Sequence, residues 1–157
     1  DLDGERALIE ALLEAIRAGV VASAHDTSEG GLAVALAECA MMDREAMHGA
    51  DVDLGAWHLL PLRALLFGEA QGRVVVSTPE PARVLEVAKS HGVPAREIGR
   101  VRGTGEPLRV RIGARTFEAP LDRLASAYHD AIPRIMERSV AVAVAGAVED
   151  SLTRPVA

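Results

Sequence analysis

Apolar positions repeat at helical spacing in some stretches of the chain and in alternate or continuous runs in others, and the switches between the two outline an α+β domain. From Asp3 to Ala18, Leu8, Ile9, Leu12, Leu13 and Ile16 fall at i, i+3 and i+4, which predicts a helix burying those residues on one face and stopping at Gly19. Val20 to Ala24 reads as a short strand. Gly30 to Met42 is apolar almost throughout, with Glu38 and Cys39 as its only ionisable side chains. Its small residues Ala33, Ala35, Ala37 and Ala40 predict a helix covered on nearly all sides.

Asp43 to Ala50 is polar and reads as a loop, followed by a short strand to Leu54. Trp57 to Phe67 carries a helical pattern with Pro61 near its first turn. Arg73 to Thr78 is a β run, and Glu80 to His91 is an amphipathic helix with Val84, Leu85, Val87 and Ala88 inward, stopped by Gly92 and Pro94. Arg96 to Val101 returns as a strand, so this stretch reads as β, α, β with short connections. Leu108 to Ile112 and Arg115 to Glu118 flank Gly113 and Ala114 as a hairpin. Leu121 to Met136 is a last helix that Pro133 ends or kinks, and the tail from Glu137 to Ala157 is weakly patterned, a loose helix at most. The expected division is one domain over 1–136 and a tail over 137–157 of open role.

Composition narrows the setting. A chain of 157 residues fits one core. The net charge of −6 and the scattered basic residues argue against a nucleic-acid or anionic membrane surface. A single cysteine excludes an internal disulfide and fits a reducing compartment, and no stretch looks like a spanning helix or a signal peptide, so a cytoplasmic protein is expected. The charged start, without an initiator methionine, looks like a piece of something longer.

Candidate chemistry concentrates at His25, Asp26, Thr27, Ser28 and Glu29, between a strand and a helix opened by Gly30 and Gly31. Asp26 offers hard oxygen ligands for Mg²⁺, and the glycines let backbone approach a phosphate favoured by the helix N-terminus. A structural alternative stands beside this: Asp26 and Glu29 have capping-box spacing, and glycines also permit close packing. Glu38 either meets a cation or points at a partner. His25 fits a partly buried, satisfied histidine as well as a functional one, and Cys39 reads as a core residue. Glu69, Gln71 and Arg73 alternate along a strand start, as a polar site or a solvated edge. The remaining histidines lack metal-ligand spacing, which argues against zinc, and Gly103 to Pro107 is a turn rather than a phosphate loop.

SAHDTSEGGLAVALAECAM resembles the SAHDxSDGGLAxALAEMA signature of the phosphoribosylformylglycinamidine synthase family. LFGEAQGRVVVS is similar to that family's LFxESQSRxxVS, HGVPAREIGRV to its HGVPxxxIGxV, and AIPRIM to its closing helix, together covering Leu8 to about Met136. The resemblance implies the last domain of the synthetase portion, an α+β domain in three layers with a mixed sheet, partly ferredoxin-like and shared with aminoimidazole ribonucleotide synthetase. It implies an enzyme in which ATP phosphorylates the amide oxygen of formylglycinamide ribonucleotide and glutamine-derived ammonia displaces the phosphate. Asp26 then corresponds to a Mg-nucleotide ligand, with His25, Ser28, Gly30 and Gly31 as nucleotide-binding neighbours and ATP, or ADP as a structural nucleotide, as the ligand. Glu29 departs from the motif's second aspartate and Gly72 from the serine of ESQSR.

The implied partners are the preceding synthetase domains, a glutaminase domain or subunit and formylglycinamide ribonucleotide. Cys39 provides no glutaminase site, so the isolated chain is expected to be inactive. Two further readings stay open: another superfamily enzyme, such as aminoimidazole ribonucleotide synthetase, selenophosphate synthetase or thiamine phosphate kinase, and a non-catalytic docking module.

Overall fold

Asp1 caps the first helix, α1 (Leu2–Arg17), by accepting the Gly4 N–H at 3.2 Å, and Asp3 and Glu5 add negative charge to its first turn. This computed structural model describes residues 1–137. At its other end, Gly19 N–H donates to Ile16 O and Val20 N–H to Ala15 O, the paired bonds of a Schellman motif. The motif turns Val20 back onto Ala15, and both join Ala11 and Val87 in one buried cluster against which Val21, Val84 and Val93 pack. Val87 and Val84 belong to α4 (Pro81–Ser90), which ends in the same way, with Gly92 N–H on Lys89 O and Val93 N–H on Ala88 O.

The apolar face of α1 is rotated from the expected one. Ala11 and Ala15 are buried, Leu8 and Leu12 half-buried, and Ile9, Leu13 and Ile16 are 57%, 41% and 46% exposed. The helical period was right and the direction of the face was not, because α1 meets α4 along its small residues, which let two helix axes come close.

The first sheet pairs β1 (Ser23–Asp26) antiparallel with β3 (Val74–Ser77), Ser23 opposite Ser77 and Asp26 opposite Val74. The second is mixed, in the order β4 (Gly99–Thr104), β2 (His48–Asp53), β5 (Leu108–Ile112), β6 (Arg115–Ala119), with β2 and β5 parallel and the other pairs antiparallel. The α+β class with a mixed sheet is therefore as the sequence led one to expect. The β, α, β unit is not: β3 and β4, on either side of α4, lie in different sheets. The first strand also begins three residues later than expected, because Val20 serves the helix cluster rather than the sheet.

In the mixed sheet, Ala50 and Val52 share a face with Leu108 and Val110, while Asp51 and Asp53 share the other with Arg109 and Arg111. α2 (Gly31–Met41) packs on β2 and against α3 (Leu62–Phe67), burying Ala35, Leu36, Ala40 and Met41. Leu54, just after β2, is wholly buried. The single helix expected from Trp57 is replaced by a 3₁₀ turn, Gly55–Trp57, and α3 starting after Pro61, because the proline ring excludes a helical carbonyl four residues back at Trp57.

The chain divides into a first unit, Asp1–Leu121, and a second that begins at Asp122. α5 (Leu121–His129) starts at this boundary and ends at a bend on Asp130, and the chain is helical again over 131–137. The break lies one turn before Pro133, which has no N–H to offer the His129 carbonyl. The loose helix expected over the tail lies outside the described residues from 138 onward. Among the described residues, no helix is long and apolar enough to cross a membrane.

Candidate functional site

The β1 ladder continues one residue beyond the strand, with Thr27 N–H donating to Arg73 O at 2.8 Å. Strand alternation then separates the neighbours Asp26 and Thr27. Thr27 is 6% exposed, and its Oγ1 has no hydrogen-bond partner among the described residues. The Asp26 side chain is 75% exposed, and among the described residues the basic atom that approaches it is His25 Nδ1, at 3.9 Å. Ser28 and Glu29 are exposed as well, so Ser28 rather than Thr27 carries the accessible hydroxyl.

Gly30 and Gly31 follow with φ of 78° and 71°, a left-handed pair that residues with a Cβ rarely adopt. At Gly31 a Cβ would also stand 2.8 Å from the Phe67 carbonyl carbon and 3.0 Å from Gly68 O. The glycine is thus where the loop after α3 presses on the start of α2. That loop is held in shape by Arg73, whose guanidinium donates to Gly68 O and, through Nε, to Ala70 O at 3.3 Å. From it, Glu69 Oε1 accepts the Gly30 N–H at 3.0 Å.

The capping-box alternative is corrected by this geometry. α2 starts at Gly31 with Gly30 as its N-cap and receives no side-chain cap from its own loop. The carboxylate at its N-terminus comes from Glu69, thirty-nine residues later. The solvated-edge reading of Glu69, Gln71 and Arg73 also changes. β3 starts only at Val74, so all three sit in the loop, and Glu69 and Arg73 hold backbone groups while Gln71 remains exposed.

His25 is fixed at both ring nitrogens. Nδ1 lies 2.7 Å from the Asp26 carbonyl oxygen and Nε2 3.2 Å from Glu38 Oε2. Glu38 therefore lies against His25, with its side chain only 16% exposed. Cys39 was expected in the core and is instead exposed, because the covered sides of α2 are turned to β1, β2 and α3 and Cys39 lies off all of them. Partial desolvation, followed by the neighbouring Glu38 charge, pushes its thiol above the ordinary cysteine range, away from the thiolate a nucleophile needs.

The arrangement presents a solvated carboxylate, a hydroxyl and a glycine pair at a helix start, held by a second loop. A lone carboxylate is an incomplete metal site, and among the described residues no group of three or more His, Cys, Asp or Glu side chains is placed to hold an ion. What Asp26 offers fits one hard oxygen ligand of Mg²⁺, with the rest of the shell drawn from water, phosphate or other groups.

The family described as AIR synthase related protein, C-terminal domain, matches residues 1–110. Phosphoribosylformylglycinamidine synthase subunit PurL of Anaeromyxobacter dehalogenans is 40% identical over 94% of this chain, which spans 20% of that protein's length. Among solved structures, PurLQS from Thermotoga maritima matches 80% of this chain and 22% of its own at TM-score 0.68 and 30% identity. PurL of T. maritima complexed with ATP matches 76% of this chain and 21% of its own at TM-score 0.65 and 29% identity. By the extent of that match and of these likenesses, the chain belongs to the family of AIR synthase related proteins, as their C-terminal domain.

Proposed function

We propose that this chain is the C-terminal domain, residues 1–136, of a phosphoribosylformylglycinamidine synthase, an ATP-dependent carbon–nitrogen ligase of purine biosynthesis. The whole enzyme converts formylglycinamide ribonucleotide to the formylglycinamidine ribonucleotide with ammonia from glutamine. Within it, this domain supplies part of a Mg-nucleotide site. Asp26 is the metal ligand, and the Ser28 hydroxyl donates to phosphate. Gly30 and Gly31, their own amides held by Glu69 and Ser28, give the loop the left-handed turn that faces it to the phosphate, and His25, between the Asp26 carbonyl and Glu38, borders the nucleotide. Bound Mg²⁺ would offset the phosphate charge that the acidic side chains of this loop otherwise repel.

One observation carries the reading: Asp26 ends its strand with its carboxylate in solvent and makes no cap for α2, since Glu69 serves the helix start in its place. The relatives support it, being PurL proteins and including one complexed with ATP. The same reading makes the partners the other synthetase domains and a glutaminase domain or subunit, in the cytoplasm, and leaves the isolated chain without synthetase activity. The test is product formation. The full-length protein with its glutaminase domain or subunit, given formylglycinamide ribonucleotide, glutamine and Mg-ATP, forms formylglycinamidine ribonucleotide, ADP, phosphate and glutamate, and the isolated chain forms none. A full-length protein that consumes no ATP in this mixture, or an isolated chain that turns it over, would overturn the proposal.

A further inference from the structure

We propose that Glu69 is a positioning residue for the nucleotide site, a role that rests on the function proposed above and gives the second loop a task within it. The start of α2 lacks a cap of its own, and none of its first-turn residues is acidic. Its outermost amide, Gly30 N–H, is taken by Glu69 at 3.0 Å, and the next amide, Gly31 N–H, by Ser28 O at 3.3 Å. Glu69 is itself held from behind. Arg73 clamps Gly68 O and Ala70 O on either side of it, and the Arg73 carbonyl takes the Thr27 N–H beside Asp26. The path from Asp26 through Thr27, Arg73 and Glu69 back to Gly30 closes a ring of hydrogen bonds and chain around the loop Thr27–Glu29. A glycine pair has wide backbone freedom, so without an external hold the loop loses the single shape in which Asp26 and Ser28 face one ligand. The hold needs an oxygen acceptor at the reach of Glu69 and does not need its charge.

The test uses the full-length protein, with Mg-ATP affinity and the unfolding midpoint measured for wild type, Glu69→Ala, Glu69→Gln and Asp26→Ala. Positioning predicts that Glu69→Ala raises the nucleotide Kd about tenfold, and that Glu69→Gln, which keeps an oxygen at the same place, returns it to within about threefold of wild type. A change in unfolding midpoint without a change in Kd reduces Glu69 to a structural cap and overturns the proposal. Equal losses in both variants assign the effect to charge at the ligand, and tighter binding in either makes Glu69 a competitor of phosphate; each overturns it too. If Asp26→Ala weakens binding and Glu69→Ala does not, positioning fails alone. If neither does, the nucleotide reading fails first.

Discussion

Two regions of this domain gather charged side chains, and they treat them oppositely. Across the mixed sheet, Arg102 on β4 meets Asp51 on β2 at 3.3 Å, Asp51 meets Arg109 on β5 at 3.5 Å, and Arg109 meets Glu118 on β6 at 2.7 Å. Arg111 and Asp53 form a second rung between β5 and β2. Signs alternate from strand to strand, so each of these charges has its complement on a neighbouring strand. At the start of α2, by contrast, Glu69 is spent on a backbone amide and Glu38 lies against His25, while among the described residues Asp26 has only a 3.9 Å approach to His25 Nδ1 and stays in solvent. A charge that the fold itself does not use is the better candidate for chemistry, and the ladder shows what a used one looks like.

The sharpest way to break the contrast is Gly31→Ala. The new methyl group meets the Phe67 backbone at 2.8 Å and the residue must hold φ near 71°, so about 3 kcal/mol of stability is lost, read from denaturant unfolding of the full-length protein. Next comes Glu38→Ala, which removes the carboxylate 3.2 Å from Nε2 of the mostly buried His25. About 1–2 kcal/mol is expected, and Glu38→Gln recovers part of it by keeping an oxygen near Nε2. In the ladder, Asp51→Asn removes one charge from two half-exposed pairs. The loss is at most about 1 kcal/mol and disappears in about 1 M salt, where the screening length falls to about 3 Å.

The smallest effect is a pH dependence at Asp53. The Gly55 N–H, and then Arg111, hold its carboxyl below the usual aspartate range. A carboxyl whose folded pKa lies below its unfolded value of about 3.9 stabilises the fold above that pH and loses its contribution as pH falls through the folded value. Asp53→Asn should therefore lower stability slightly at neutral pH, where the charged carboxyl contributes, and flatten the acid limb below about pH 4, where the two proteins converge.

How much of this was legible in the sequence depends on how far apart the deciding residues lie. The β5–β6 hairpin and α4 could be read directly, because two glycine-flanked runs and one helical period fix them locally. The Asp26 loop was legible for the same reason, as polar residues and a glycine pair between a β run and an apolar helix. The face of α1 was not, since Ala11 and Ala15 are chosen by α4 from the other side of β1 and β2. Val20 was misread as strand because an apolar β-branched residue suits a helix-end contact as well as a sheet. The cap of α2 by Glu69 was out of reach of any local pattern, and the capping-box spacing of Asp26 and Glu29 pointed to the wrong carboxylate.

The central claim is that Asp26 serves a nucleotide rather than the fold, and its most direct measurement is Mg-ATP binding by the full-length protein with and without Asp26→Ala. The account predicts binding at this site weakened at least about tenfold, with the unfolding midpoint unmoved. Unchanged affinity and stoichiometry, or a fall in stability large enough to explain the loss, would contradict it.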